Sequence, residues 1–328
     1  MRNQIEAILT TIMLLMAVVS SNQAIASSAI DSCIKFAEIE PRTNKSYHLS
    51  QDIDCSGYTL TNPVDFNGQL DGKGYTIRNL TIDANSRYAG FFAEIDGASI
   101  NDITFENITL NVGSSVNAAG ILAGDIQNSK LENVTITHSK IQATGEAVVQ
   151  GVGMVAGRFS SQSEASGINV LHSKLWVEKS SHVGSLFGYM ADSYISFLSA
   201  RNNQLIVEGN YRVNFGGIVG YLSDASLLES ESTDNLLSAP IIDKGNIGML
   251  SGYIVTGRVV GATLARNVFD TQIQTNHLRL AILSGYIDNP KDSAESPSLK
   301  DVTYYGISSL EWFNNKDAVH IDNFIRVE

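Results

Sequence analysis

The sequence predicts an all-β protein, a right-handed parallel β-helix (β-solenoid) of about seven to eight coils with N- and C-terminal caps. Three observations carry this. A seven-residue motif recurs seven times at near-constant spacing. Within each unit, apolar residues return at strand-like intervals, broken by Asn, Asp, Ser and Gly. Beyond the first two dozen residues, no window carries a sustained helical apolar stripe.

The motif places small residues around apolar ones and ends on a polar or aromatic residue followed by an apolar one. Two copies read Gly184-Ser185-Leu186-Phe187-Gly188-Tyr189-Met190 and Gly216-Gly217-Ile218-Val219-Gly220-Tyr221-Leu222. Its fifth, small residue falls at positions 93, 124, 157, 188, 220, 252 and 285, a spacing of 31–33 residues. A period of that size suits a β-solenoid coil, a propeller blade or a helical repeat. Strand chemistry excludes the helical repeat. Hairpin dipeptides are too scarce for a propeller blade. Three short strands per unit with a column of small residues favour the solenoid, in which equivalent residues of successive coils stack.

That stacking gives the columns meaning. Phe91, Leu122, Val155, Leu186, Ile218, Leu250 and Leu283 should line the interior. So should Ile95, Ile126, Phe159, Met190, Leu222, Ile254 and Ile287, four residues on. Asn79, Asp102 and Asn133 each precede an apolar-Thr-apolar triplet, so a side-chain amide ladder is expected there.

The regions follow in order. Residues 1–26 read as a signal peptide: Arg2, an apolar run through Leu14, Leu15 and Val19, then Ala24-Ile25-Ala26 as the cleavage pattern. The run is short for a membrane span. Residues 27–60 read as an N-terminal cap. They hold Cys33 and Cys55, the chain's two cysteines. In an exported chain these read as one disulfide, the other reading being two buried thiols. Residues 61–288 carry the repeats. Residues 289–328 form a C-terminal cap, in which Val302–Tyr305 and Leu310–Phe313 are expected to fold over the last coil.

The repeated Gly-x-apolar-x-Gly-Tyr-apolar segment, with the lead-in Asp71-Gly72-Lys73-Gly74-Tyr75-Thr76-Ile77-Arg78-Asn79-Leu80, resembles the GLUG repeat of exported bacterial proteins. The resemblance covers roughly residues 60–290 and implies a β-helical, secreted or surface-associated protein. GLUG repeats occur in adhesins and in the non-catalytic part of IgA-specific metallopeptidases. There they serve as a stalk or binding surface, and the catalytic domain is separate.

Composition narrows the function. The 328 residues are 43% hydrophobic and only 17% charged, with 22 basic against 34 acidic side chains and a net charge of −12. An acidic chain is repelled by nucleic acid and by anionic membranes. There is no HExxH, no P-loop and no GxSxG, and the six histidines show no ligand spacing, so no cofactor or metal is expected. His172 and His182 read as strand or turn surface residues. Gly151-Val152-Gly153-Met154-Val155-Ala156 fits a dinucleotide-binding pattern, but it overlaps the third repeat and opens no helix.

Three functional readings remain, one of them a purely structural surface module. The first is a secreted, adhesin-like or virulence-modulating protein that binds a protein or glycan partner, such as a host surface molecule or an outer-membrane export protein. The alternative is a polysaccharide lyase or hydrolase. Its candidate acids are Glu94, Asp96, Asp125, Asp192, Asp224 and Asp288, which read more simply as turn residues. The column that attracts attention is the sixth motif position: Glu94, Asp125, Arg158, Tyr189, Tyr221, Tyr253 and Tyr286. It should face outward, and Tyr189, Tyr221, Tyr253 and Tyr286 are the candidate binding residues. Against that, tyrosine suits strands in general.

Overall fold

The computed structural model describes residues 27–145, 147–209, 212–240, 242, 244–270, 278–288, 297–306, 310–312 and 320–327. The expected signal peptide and the polar stretch 289–296 lie outside these residues. The chain winds as a β-solenoid of about seven turns, its strands stacked in parallel from coil to coil.

A complete turn has four strands, where three were expected. One turn comprises Ala156–Ser160 (face I), Glu164–Leu171 (face II), Lys174–Val177 (face III) and Ser180–Gly184 (face IV). The extra strand arises because the repeated motif straddles a corner. Gly184 ends face IV, Ser185 and Leu186 form the bend, and Phe187 opens face I of the next turn. Leu186 and Met190 therefore both point inward while only Met190 lies on the face I strand. Every residue of the two predicted interior columns is buried, and Phe92, Phe187 and Val219 join them from the fourth motif position.

The face II–III corner is made by single residues in the left-handed region. Asn107, His138, His172, Asn202, Asp234 and Arg266 turn the chain from face II to face III, with φ between 49° and 56°. A second such column, Asp102, Asn133, Gly167, Phe197, Glu229 and Gly261, bends face II at its middle. Asn and Asp adopt this conformation more cheaply than other L residues because their side chains bond locally. Asn79, Asn107, Asn202 and Asp234 are therefore corner residues of the coil, and Asp102 and Asn133 bend face II.

Immediately after the face II–III corner runs an interior polar ladder. The backbone N–H of Ser139 donates to Ser173 Oγ (3.1 Å), that of Ser173 to Asn203 Oδ1 (2.9 Å), that of Asn203 to Asn235 Oδ1 (2.9 Å), and that of Asn235 to Asn267 Oδ1 (3.0 Å). These groups are buried and would be costly left unpaired. The ladder expected at Asn79, Asp102 and Asn133 is divided. Asn133 Nδ2 does donate to Asp102 Oδ1 (2.8 Å), but Asn79 belongs to another corner and pairs with Asn107.

At the N-terminus, Ser28–Ile30 and Ser46–Leu49 pair in parallel and continue face II. The 3-10 turn Cys33–Glu38 lies between them, with Phe36 packed on Phe91 at 4.9 Å between ring centroids. Cys33 and Cys55 form a disulfide, Cα–Cα 5.7 Å. At the other end, Ser298–Tyr305 does not fold over the last coil. It extends face II, pairing with Gly257–Val260 and Thr263–Ala265, and His320–Val327 stacks on it in turn. The backbone N–H groups of Ile282 and Leu283 donate to the carbonyls of Glu311 and Trp312 (both 2.8 Å), so that segment also continues the winding.

Candidate functional site: a groove between faces IV and I

Faces IV and I meet at an acute corner, and their backbones nearly touch. A Cβ on Gly188 of face I would lie 2.3 Å from the backbone nitrogen of Val152 on face IV, so only glycine fits. The same holds at Gly220, Gly252 and Gly285. The small fifth residue of the motif is the price of bringing these sheets together. Outward side chains of the two faces stand side by side along this corner and form the two walls of the site, with a hollow between them at Gln150, Arg158, Ser181, His182 and Tyr189.

The face I wall is the predicted column. Register pairs Glu94 with Asp125, Asp125 with Arg158, Arg158 with Tyr189, and then Tyr221, Tyr253 and Tyr286 in succession. All four tyrosines are half-buried. The rings of Tyr189 and Tyr221 lie 5.2 Å apart and 7° from parallel, those of Tyr221 and Tyr253 5.4 Å and 7°, and those of Tyr253 and Tyr286 5.3 Å and 39°. The tyrosine column is expected to make an amphipathic stripe of stacked rings. Their faces are largely spent on one another, so edges and hydroxyl ends meet the groove. Tyr253 donates to Asp288 Oδ2 (2.9 Å). Burial, then the Asp288 bond, holds its phenol well above the usual range, and burial raises Tyr221 likewise.

The opposite wall was missed by the sequence reading. His182, Asn214, Asn246 and Arg279 stand in register on face IV, each seven residues ahead of a ladder tyrosine. That constant offset is the signal that would have found them. Asn246 Nδ2 donates to Asn214 Oδ1 (2.7 Å), and Asn214 Nδ2 donates to His182 Nδ1 (3.1 Å). His182 stands on the outward side of a face IV strand, half-buried. Its ring packs 5.7 Å from Tyr189 and 4.9 Å from Tyr221, and burial pushes its pKa down to about 4. It is neutral at physiological pH, with Nδ1 accepting and Nε2 left to donate. His172, by contrast, is a corner residue stacked on His138.

Toward the N-terminal end the groove changes character. Asp125 is fully buried, 3.5 Å from Arg158 Nη1, and accepts from Gln127 Nε2 (3.1 Å), which also reaches Glu94 Oε1 (3.2 Å). Asp125 Oδ1 makes no well-formed hydrogen bond. The Tyr88 phenol is raised by burial and by the nearby Asp125 charge. Burial raises Glu94 too, with Asp65 and Asp125 adding to it and Arg42 opposing. The six candidate acids thus have separate fates. Asp192 and Asp224 are left-handed corner residues, Asp288 serves Tyr253, and Asp125 exposes no surface. The Gly151–Ala156 stretch runs from a face IV strand through the corner into face I, with no helix. Among the described residues, no group of three or more His, Cys, Asp and Glu is placed to hold a metal.

No protein-family model matches the chain. A stretch of 112 residues is 37% identical to halomucin from Haloquadratum walsbyi; it makes up 29% of this chain and spans 1% of that protein. Among solved structures, a candidate immunoglobulin A1 protease from Bacteroides ovatus superposes with a TM-score of 0.53 at 12% identity, covering 92% of this chain and 84% of that one. The Streptococcus pneumoniae surface protein and adhesin PfbA gives a TM-score of 0.36 at 12% identity, covering 86% and 84%. At 12% identity the first likeness is one of fold. Among the described residues, no helix is long and apolar enough to cross a membrane, and the disulfide suits an extracellular setting.

Proposed function

We propose that this chain is a secreted, adhesin-like binding protein, exported by a signal peptide cleaved near Ala26, and that its partner is an extended glycan lying along the groove between faces IV and I. The observation that carries this is the pairing of two regular rows. Phenol edges at Tyr189, Tyr221, Tyr253 and Tyr286 face the imidazole of His182 and the amide of Asn214, which the buried Asn246 holds in place from behind. Polar groups repeat at the coil spacing of about 4.8 Å. A chain rich in hydroxyls presents donors and acceptors continuously along its length, so such a row suits it. Stacking holds the rings in place, so little side-chain entropy is lost on binding.

The alternative of polysaccharide cleavage would need an acid and a base both reaching the substrate. The Glu94–Asp125 pair is poorly suited, because Asp125 is sealed from solvent. The test is retention of the purified full chain on a panel of immobilised polysaccharides. Retention by at least one, lost in the Tyr221→Ala, Tyr253→Ala double variant while the melting transition stays cooperative, supports the reading. Retention by none overturns it.

A further inference from the structure

The two ends of the tyrosine ladder differ. At one end the Arg279 guanidinium lies 4.0 Å from the ring centroid of Tyr286, a close cap. At the other end Arg158 holds the next register position, yet its Cζ is 5.9 Å from the Tyr189 centroid. The guanidinium is drawn instead toward the buried Asp125, 3.5 Å away. One face of Tyr189 therefore stacks on Tyr221, while the other is met by Arg158 only at this longer distance, with the His182 ring 5.7 Å away.

Face IV deepens this place. Where later coils carry His182, Asn214 and Asn246, the two preceding coils carry Ala118 and Gly151. Gly151 packs so tightly that a Cβ would lie 2.4 Å from the Gly157 carbonyl oxygen. Beside this end of the ladder is a hollow of about 320 Å³ lined by Gln150, Arg158, Ser181, His182 and Tyr189. That is the low end of the range for small-molecule sites.

We propose that this hollow is a subsite for a single neutral pyranose ring, seated with a C–H face on Tyr189 and its hydroxyls met by Arg158, Gln150 and Ser181. This rests on the reading of the groove as a glycan track. The lining is suited to hydroxyls, because it combines an aromatic face with planar and hydroxyl hydrogen-bonding groups. The sugar should be uncharged, because the Arg158 charge is offset by Asp125 and His182 is neutral. An anionic sugar would find no uncompensated cation there, on a chain of net charge −12.

Ligand-observed saturation-transfer NMR on the full chain tests this with neutral methyl glycosides, and with methyl glucuronide as the anionic probe. At least one neutral glycoside should show transfer. Ser181→Trp should abolish it by filling the hollow, and Gln150→Ala should weaken binding about tenfold. Both changes are at the surface and spare the Asp125–Arg158 pair. Transfer unchanged in both variants would place the sugar elsewhere and overturn the proposal. So would transfer to the glucuronide alone. If no methyl glycoside shows transfer while the chain is still retained on polysaccharide through Tyr221 and Tyr253, the subsite fails and the glycan track stands. If polysaccharide retention is also absent, both fall.

Discussion

The ring of His182 sits 4.9 Å from that of Tyr221, although the two belong to different sheets of the solenoid. That contact joins the two walls of the groove. It exists because the glycines at the fifth motif position let faces IV and I approach to backbone contact. The tyrosine stack, the imidazole and the amide pair are thus one packed unit, and their energetics can be separated by substitution.

Tyr221 is the first position to test, since it stacks on Tyr189 and Tyr253. Each aromatic pair contributes about 0.5–1.5 kcal/mol beyond burial. With the loss of a half-buried ring, Tyr221→Ala should destabilise the protein by about 2–3 kcal/mol. Tyr221→Phe keeps the stack and should stay within about 0.5 kcal/mol. Denaturant unfolding of the two variants checks this. A phenylalanine variant as unstable as the alanine one would mean that the hydroxyl, not the stack, does the stabilising.

His182 should make stability depend on pH. Its folded pKa, about 4, lies below the unfolded value near 6.5. Between these values the unfolded chain binds the extra proton, so stability rises with pH across the window. It is complete above about pH 6.5 and falls as the pH drops toward 4, by at most about 3 kcal/mol. Subtracting the pH profile of His182→Gln from that of the parent removes the carboxylate contributions. A flat difference between pH 4 and 7 would show that the imidazole titrates alike in the folded and unfolded chains.

Asn235 tests the interior ladder. Its Oδ1 accepts from the Asn203 backbone, and its Nδ2 donates to the Ala200 carbonyl (2.8 Å). Asn235→Leu leaves those backbone groups buried without partners, at an expected cost of about 2–4 kcal/mol. Asn235→Ser should cost less, because Ser139 and Ser173 do the same work two and three coils earlier. Hydrogen exchange at the Asn203 amide should speed up in the leucine variant and much less in the serine one.

The ease of reading different parts of this fold follows from how each part is encoded. The coil period was legible because the Gly188-type residue must be small in every turn, which leaves a fixed mark. The interior columns were legible because Leu186 and Met190 have no other place to go. The fourth strand was not, because the two-residue bend at Ser185-Leu186 or Gly217-Ile218 lies inside the motif, where Leu186, Phe187, Ile218 and Val219 read as one apolar run. The ladder expected at Asn79 was misplaced because corner asparagines and interior asparagines look alike in sequence. Only the register shows that Asn203, one residue past the Asn202 corner, points inward. The tyrosine column was visible, but its partners His182 and Asn214 were not, since a groove formed by two sheets shows only as a seven-residue offset.

Phe197 offers the reverse test, a substitution that should stabilise. It holds the left-handed bend of face II with φ 55° and is 63% exposed. Its register neighbours at this bend are Gly167 and Glu229, and Asp102 and Asn133 occupy the same position in earlier coils. A bulky residue costs about 1–2 kcal/mol in this conformation, and Asn substantially less. The exposed ring recovers little by burial. Phe197→Asn should therefore raise stability by about 1 kcal/mol and shift the melting temperature up by a few degrees. Phe197→Gly should gain less, because glycine also gives the unfolded chain more freedom. Loss of stability in the asparagine variant would mean that the ring makes contacts strong enough to offset its backbone.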